Sequence, residues 1–160
     1  MEEIMMSIIV AAILGAGVVT GLLFAFSNFV MRALADLPAD KGMFAMQRIN
    51  VTIINPIFML FFLGTTVLCS VIVFSLIKSG NAFENLYLLM GALGYIIGPL
   101  GVTILFNVPL NNLLARTDIS SANEIWPMYQ TKWQWWNHIR TYMGMASVVF
   151  MIVGFGNIES

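Results

Sequence analysis

Four apolar runs without a charged side chain divide this chain: Ile4–Met31, Ile57–Ile77, Leu86–Phe106 and Tyr142–Ile158. A helix crossing a bilayer needs about 20 mostly apolar residues. In hydrocarbon every backbone N–H and C=O must find its partner within the structure, which helices achieve along their own length. The expected fold is therefore all-α, an integral membrane four-helix bundle forming a single transmembrane domain over residues 1–160. The connections are Arg32–Pro56, Lys78–Asn85 and Asn107–Thr141. The first and third read as long polar loops on one face. Charged residues are only 9% of the chain, against about 25% in soluble domains.

The charges that exist are placed unevenly. Arg32, Lys41 and Arg48 fall in the first connection, Arg116, Lys132 and Arg140 in the third, and only Lys78 in the second. The positive-inside rule then puts both long loops in the cytoplasm and both termini on the opposite side. A net charge of −1 gives no basic surface for nucleic acid. Glu2 and Glu3 make the N-terminal flank acidic, unlike a cleavable signal peptide. One cysteine, Cys69, excludes an internal disulfide and reads as a small core residue. With one histidine and one cysteine there is no closed zinc site, and neither metal nor cofactor is expected.

Polar residues crowd the same end of the predicted spans. Ser27, Asn28 and Arg32 close the first, Gln47, Arg48, Asn50 and Asn55 precede the second, Asn107 and Asn111 close the third, and Asn137, His138 and Arg140 open the fourth. Trp133, Asn137 and Thr141 are four apart, as are Trp136 and Arg140, so each set shares a helix face. Thr103 and Asn107 do the same. Pro109 disfavours helical geometry at Val108 and predicts a break there. Together these features predict a polar pocket at the cytoplasmic mouth. Ala39–Val51 reads as a short amphipathic helix with Met43, Met46 and Ile49 turned to lipid or bundle. Gly17 and Gly21 form a GxxxG step, and Gly91, Gly94, Gly98 and Gly101 form a stripe. Both permit close helix approach, and the glycine faces are compatible with a homodimer.

Several motifs together carry a family resemblance. Met46-Gln47-Arg48-Ile49-Asn50, Asn55-Pro56-Ile57-Phe58-Met59, Gly64-Thr65, Asn107-Val108-Pro109-Leu110-Asn111 and Trp133 through Trp136-Asn137-His138-Ile139-Arg140-Thr141 occur in order. From about Phe26 to Thr141 the chain resembles the DUF1772, or anthrone oxygenase-like, family of small four-span membrane proteins. That family is named for enzymes that oxidise anthrones to anthraquinones with dioxygen and no evident cofactor. The resemblance implies that Trp136, His138 and Arg140 are the active residues.

The chemistry of these residue types fits that expectation. An acidic carbon acid needs a base, and an imidazole, here His138, is the side chain most often used as one. Arg140 could hold the resulting oxyanion. Asn137, Asn107, Asn111 and Asn50 could donate further hydrogen bonds, Arg48 could add a second cation, and Trp133 and Trp136 could stack on flat rings. The expected ligand is a small hydrophobic aromatic or quinone-like molecule, with membrane lipid as the surrounding partner. Each residue also has a plainer role. His138 and Arg140 would be interfacial anchors, Asn50, Asn107 and Asn111 helix caps, Arg48 a surface anchor, and the tryptophans, Trp126 and Trp135 above all, an aromatic belt. A non-enzymatic protein binding a lipid, a quinone or a partner subunit is the second reading. A small transporter is the third, against which stands the lack of an ionisable residue inside the spans.

Overall fold

A computed structural model describes residues 2–159, with side chains placed for residues 3–157. The side chains of Glu2 and Ile158 lie outside that description. Five helices form. α1 comprises residues 2–35, α2 Ala39–Thr52, α3 Pro56–Ser79, α4 residues 86–116 and α5 Ala122–Glu159. Four of them are long and apolar enough to cross a membrane, as the sequence predicts, and they pack as a bundle. In cross-section α1 and α4 lie on a diagonal, each packed between α3 and α5. The short α2 lies across the end where α1 stops and α5 starts.

Local chemistry explains the ends. Pro56 takes the first position of α3, where its missing N–H costs nothing. Asn55 caps that helix by accepting the Phe58 amide at 3.0 Å. Gly80 closes α3 in the left-handed conformation, with φ of 77°. α2 follows its predicted bounds closely. Met43 and Met46 are buried against the bundle while Arg48 faces outward.

The third connection is shorter than expected. α4 continues to Arg116 and α5 begins at Ala122, leaving Thr117–Ser121 rather than Asn107–Thr141 as the link. Polar residues in this stretch belong to helices that outrun the hydrocarbon. At 1.5 Å per residue α5 is about 57 Å long, nearly twice the core thickness of about 30 Å. Its first third packs against α2 and the end of α1, forming a second apolar cluster of Met31, Met43, Met46, Leu114, Trp126, Tyr129 and Trp133. Trp126 therefore sits in a core above Gly42, not in an aromatic belt, whereas Trp135 stays exposed. Cys69 lies in the other cluster, between the spans.

Nor does Pro109 break α4. The helix widens into π geometry over Ile96–Asn107, with Val108 N donating to Thr103 O five residues back. A proline ring clashes with the carbonyl four residues before it in a normal α-turn. The wider turn relieves that clash for Pro99, which lies within it; Pro109 follows in the first turn of the α-helical continuation, and Val108 keeps right-handed helical angles. A second π segment, Phe26–Val30, occurs in α1, where Met31 N donates to Phe26 O.

The glycines divide by role. Cβ atoms on Gly91 and Gly98 would collide with α5 at Met151 and Met143, and one on Gly94 would touch Ser147. Ser147 Oγ closes the same contact by donating to Gly91 O at 2.6 Å. Gly101 meets only its own helix. A Cβ on Gly17 or Gly21, the GxxxG step, would meet nothing within 4 Å among the described residues. Gly15 is the close-packed glycine of α1, pressed on Thr65.

Candidate functional site

The two π segments flank one stretch of α5, Trp133 to Thr141. Widened turns of this kind recur at functional sites. Trp133, Asn137, Arg140 and Thr141 all point inward, as their spacing predicts, and all are buried. Asn137 is the organiser. Its Nδ2 donates to Leu23 O at 2.9 Å and to Ser27 Oγ at 2.7 Å, both on α1. Its Oδ1 accepts from Arg140 Nε at 3.0 Å and Nη2 at 2.7 Å. Arg140 Nη1 donates to Thr103 Oγ1 at 2.7 Å on α4. Thr103 Oγ1 in turn donates to Pro99 O.

Arg140 is only 7% exposed, and its Cζ lies 5.1 Å from the centre of the Trp133 ring. Among the described residues the sole ion pair is Lys41–Asp40 on the surface. The buried guanidinium is thus held by neutral oxygens and an aromatic face. It has five N–H donors, of which three are used. A buried cation is ordinarily paired, because removing it from water is costly.

Arg140 and Trp133 stand on the wall of a cavity of about 310 Å³, large enough for a compact polycyclic ligand. The remaining wall is mostly apolar, including Leu23 and Phe26 of α1, Met46 and Ile49 of α2, Phe58 and Phe62 of α3 and Leu100 of α4. Polar lining comes from Asn50, Thr103, Asn111, Trp133 and Arg140. Leu63 on α3 and Ile104 on α4 line the cavity and are also exposed on the bundle's outer surface, so the cavity opens sideways between these helices.

Beside Trp133 runs a second network. Trp133 Nε1 and Tyr129 Oη both donate to Asn111 Oδ1 at 2.9 Å, and Asn50 Nδ2 donates to Tyr129 Oη at 3.4 Å. Asn107 is fully buried behind the cavity, with Nδ2 donating to Trp133 O at 3.3 Å and Oδ1 unpartnered. Asn50, Asn107 and Asn111 bond across helices, and none caps a helix end.

The sequence-predicted residues therefore separate into two groups. Trp133, Asn137, Arg140, Asn111, Asn50 and Asn107 converge on or behind one cavity. His138, Trp136 and Arg48 do not line it. His138 lies two positions before Arg140, a step that turns a helix by about 200°. His138 stacks on Tyr142, ring centres 6.3 Å apart, on the far side of α5. Trp136 stacks on Phe106, ring centres 3.6 Å apart. Arg48 is exposed.

Tyr129, Thr103 and Ser27 also belong to the site: Ser27 and Thr103 stand among the polar residues expected at this end of the spans, though without a role of their own, and Tyr129 does not. Tyr129 was legible: it lies four residues before Trp133, continuing the stripe to Asn137 and Thr141. The partnership of Thr103 with Arg140 had no sequence signal.

The family model for anthrone oxygenase matches residues 58–150, more than half of the chain. The chain belongs to the anthrone oxygenase family. The matched region holds Arg140, Trp133, Asn111 and Thr103, but not Asn50 or the α1 and α2 walls of the cavity. No curated protein and no solved structure matches the chain.

Proposed function

We propose that this anthrone oxygenase family member binds a flat, hydrophobic phenol- or quinone-type molecule in the cavity beside Trp133 and oxidises an anthrone-like substrate with dioxygen. The observation that supports this reading is Arg140, a buried guanidinium with spare donors on the wall of an apolar cavity. An enolate or phenolate oxygen is the group such a donor set would take. Charge-assisted bonds in a low-dielectric site favour the ionised ligand.

Binding at Arg140 would draw an anthrone toward its enolate. The methylene carbon loses one proton, the carbanion then reduces dioxygen and forms a C–O bond, and the resulting peroxide anion takes a proton back. The hydroperoxide loses water as its O–O bond and the remaining C–H bond break. The net change converts CH₂ and O₂ into C=O and H₂O. Arg140 would hold the ring oxygen throughout, and the apolar walls would keep the carbanion from water. Among the described residues no carboxylate or imidazole lines the cavity. In this reading the proton is lost to bulk water before the enolate enters the cavity, and His138 is not the base. The sideways opening suits a substrate that dissolves in lipid and arrives from the bilayer. The end of the bundle carrying the site is the one with six of the seven basic residues, so it would face the cytoplasm.

The test is oxygen uptake by the full chain in nanodiscs with emodin anthrone, above the spontaneous rate. His138→Ala is expected to retain turnover within about threefold, with an unchanged pH profile, because one pKa would otherwise vanish from it. Turnover abolished in that variant, with its melting temperature preserved, would restore His138 as the base. If the wild type consumes no oxygen but binds the anthrone, the protein is a carrier or sensor of such molecules.

A further inference from the structure

We infer that Asn111 is a specificity-determining donor, which makes the cavity selective for ring systems carrying two opposed oxygen acceptors. The inference rests on the ligand pocket proposed above. Its basis is the orientation of one carboxamide. The Asn111 Oδ1 accepts from Trp133 Nε1 and from Tyr129 Oη, both at 2.9 Å. An indole N–H only donates. Turning the amide over would set N–H against N–H, so Oδ1 is locked onto Trp133. Asn50 supports the same orientation: by donating to Tyr129 Oη it leaves that hydroxyl's proton for Asn111. Both Nδ2 hydrogens of Asn111 are then left without a protein partner, on a residue that lines the cavity.

Two donor poles result. Arg140 reaches α4 at Thr103, and Asn111 stands eight residues further along the same helix, about 10–12 Å away at helical rise. Two hydrogen bonds of about 2.9 Å, with one ring between opposed carbonyl oxygens, span a comparable length. Trp133 lies between the poles, one face toward Arg140 and its N–H edge toward Asn111. A para-quinone satisfies both poles, a mono-ketone one, and a hydrocarbon neither. An oxidised, quinone-type molecule is thus the better ligand.

The experiment uses the full chain in nanodiscs, under anaerobic conditions so that anthrone is not turned over, and three probes of one shape: anthraquinone, anthrone and anthracene, titrated by quenching of tryptophan fluorescence. Wild type is expected to bind anthraquinone roughly three- to tenfold tighter than anthrone, the value of one net hydrogen bond. Asn111→Ala should bring the two to equal affinity without weakening anthracene. Asn111→Asp keeps the acceptor for Trp133 and Tyr129 but removes the donor, and should also abolish the preference. A preference retained in Asn111→Asp but lost in Asn111→Ala would show that Asn111 only props the tryptophan, and would overturn the inference. Equal binding of all three probes to the wild type would also overturn it while leaving the pocket standing. Failure of all three to bind would remove pocket and donor together.

Discussion

Replacing Arg140 by glutamine is expected to lower oxygen uptake on emodin anthrone by roughly 100-fold or more, the cost typical of removing a donor to a developing oxyanion. The argument rests on three bonds that fix the guanidinium: two to Asn137 Oδ1 and one to Thr103 Oγ1. They leave donors directed at no protein group, beside a cavity whose other walls are largely apolar. Glutamine can still donate to Asn137 or Thr103, but it carries no charge. Arg140→Lys separates charge from shape. It restores a cation without the planar fork that grips two partners at once, so it should recover only part of the rate. The same variants can be read without turnover. Wild type should bind a phenolic anthraquinone more tightly as pH rises through the ligand's ionisation, and Arg140→Gln should lose that rise. An O-methylated ligand should show no such pH dependence in either protein. Full activity in Arg140→Gln would remove the oxyanion role.

The second large effect concerns the fold. Gly91→Val is expected to destabilise the bundle by about 1–3 kcal/mol, the usual cost of overpacking, and more if the helices must part. A Cβ there would lie 2.7 Å from Met151 N and 2.9 Å from Ser147 O, both backbone atoms that cannot swing aside. The Ser147 Oγ to Gly91 O bond would be lost with the contact. Gly17→Val is the control, because its Cβ would meet nothing within 4 Å. Thermal unfolding in detergent, followed by aggregation or by Cys69 exposure to a thiol reagent, should show a clear drop for Gly91→Val and almost none for Gly17→Val. Equal behaviour of the two would mean that the α4–α5 contact does not limit stability.

The different fates of these two glycine motifs show where sequence reading stops. One steps by four residues and the other by three and four, and both spacings suit a helix contact. Spacing identifies a face, but what lies opposite depends on how the other helices cross. In α4 the face met α5, and in α1 the face bearing Gly17 and Gly21 was left outward while Gly15 met Thr65. Pro109 carries a related lesson. The local rule about residues before proline predicts a break at Val108, yet the helix runs on through it, with π geometry up to Asn107 where it packs on α5. The polar stretch from Asn107 to Thr141 looked like a loop because it is too polar for hydrocarbon. It is helical because α2 and the helix extensions form their own apolar cluster beyond the spans.

The four-residue spacing of Trp133, Asn137 and Thr141 predicts one shared face, and all three are buried together, whereas Arg140, paired by spacing with Trp136, turns instead to Asn137 while Trp136 stacks on Phe106. His138 sat in the same motif and carried the most suggestive chemistry, yet two residues of helical rotation carried it away from Arg140. Motif membership is a one-dimensional property, whereas sharing a cavity is a three-dimensional one. By itself the sequence determined that the chain is helical and membrane-spanning, and which end of the bundle is polar, because these follow from solvation and from the number of apolar residues needed to cross a bilayer. Only the tertiary structure decided which polar groups meet. The burial of Arg140 against Thr103 and Asn137, and the locking of Asn111 by Trp133 and Tyr129, depend on the crossing and rotation of helices that are distant in sequence.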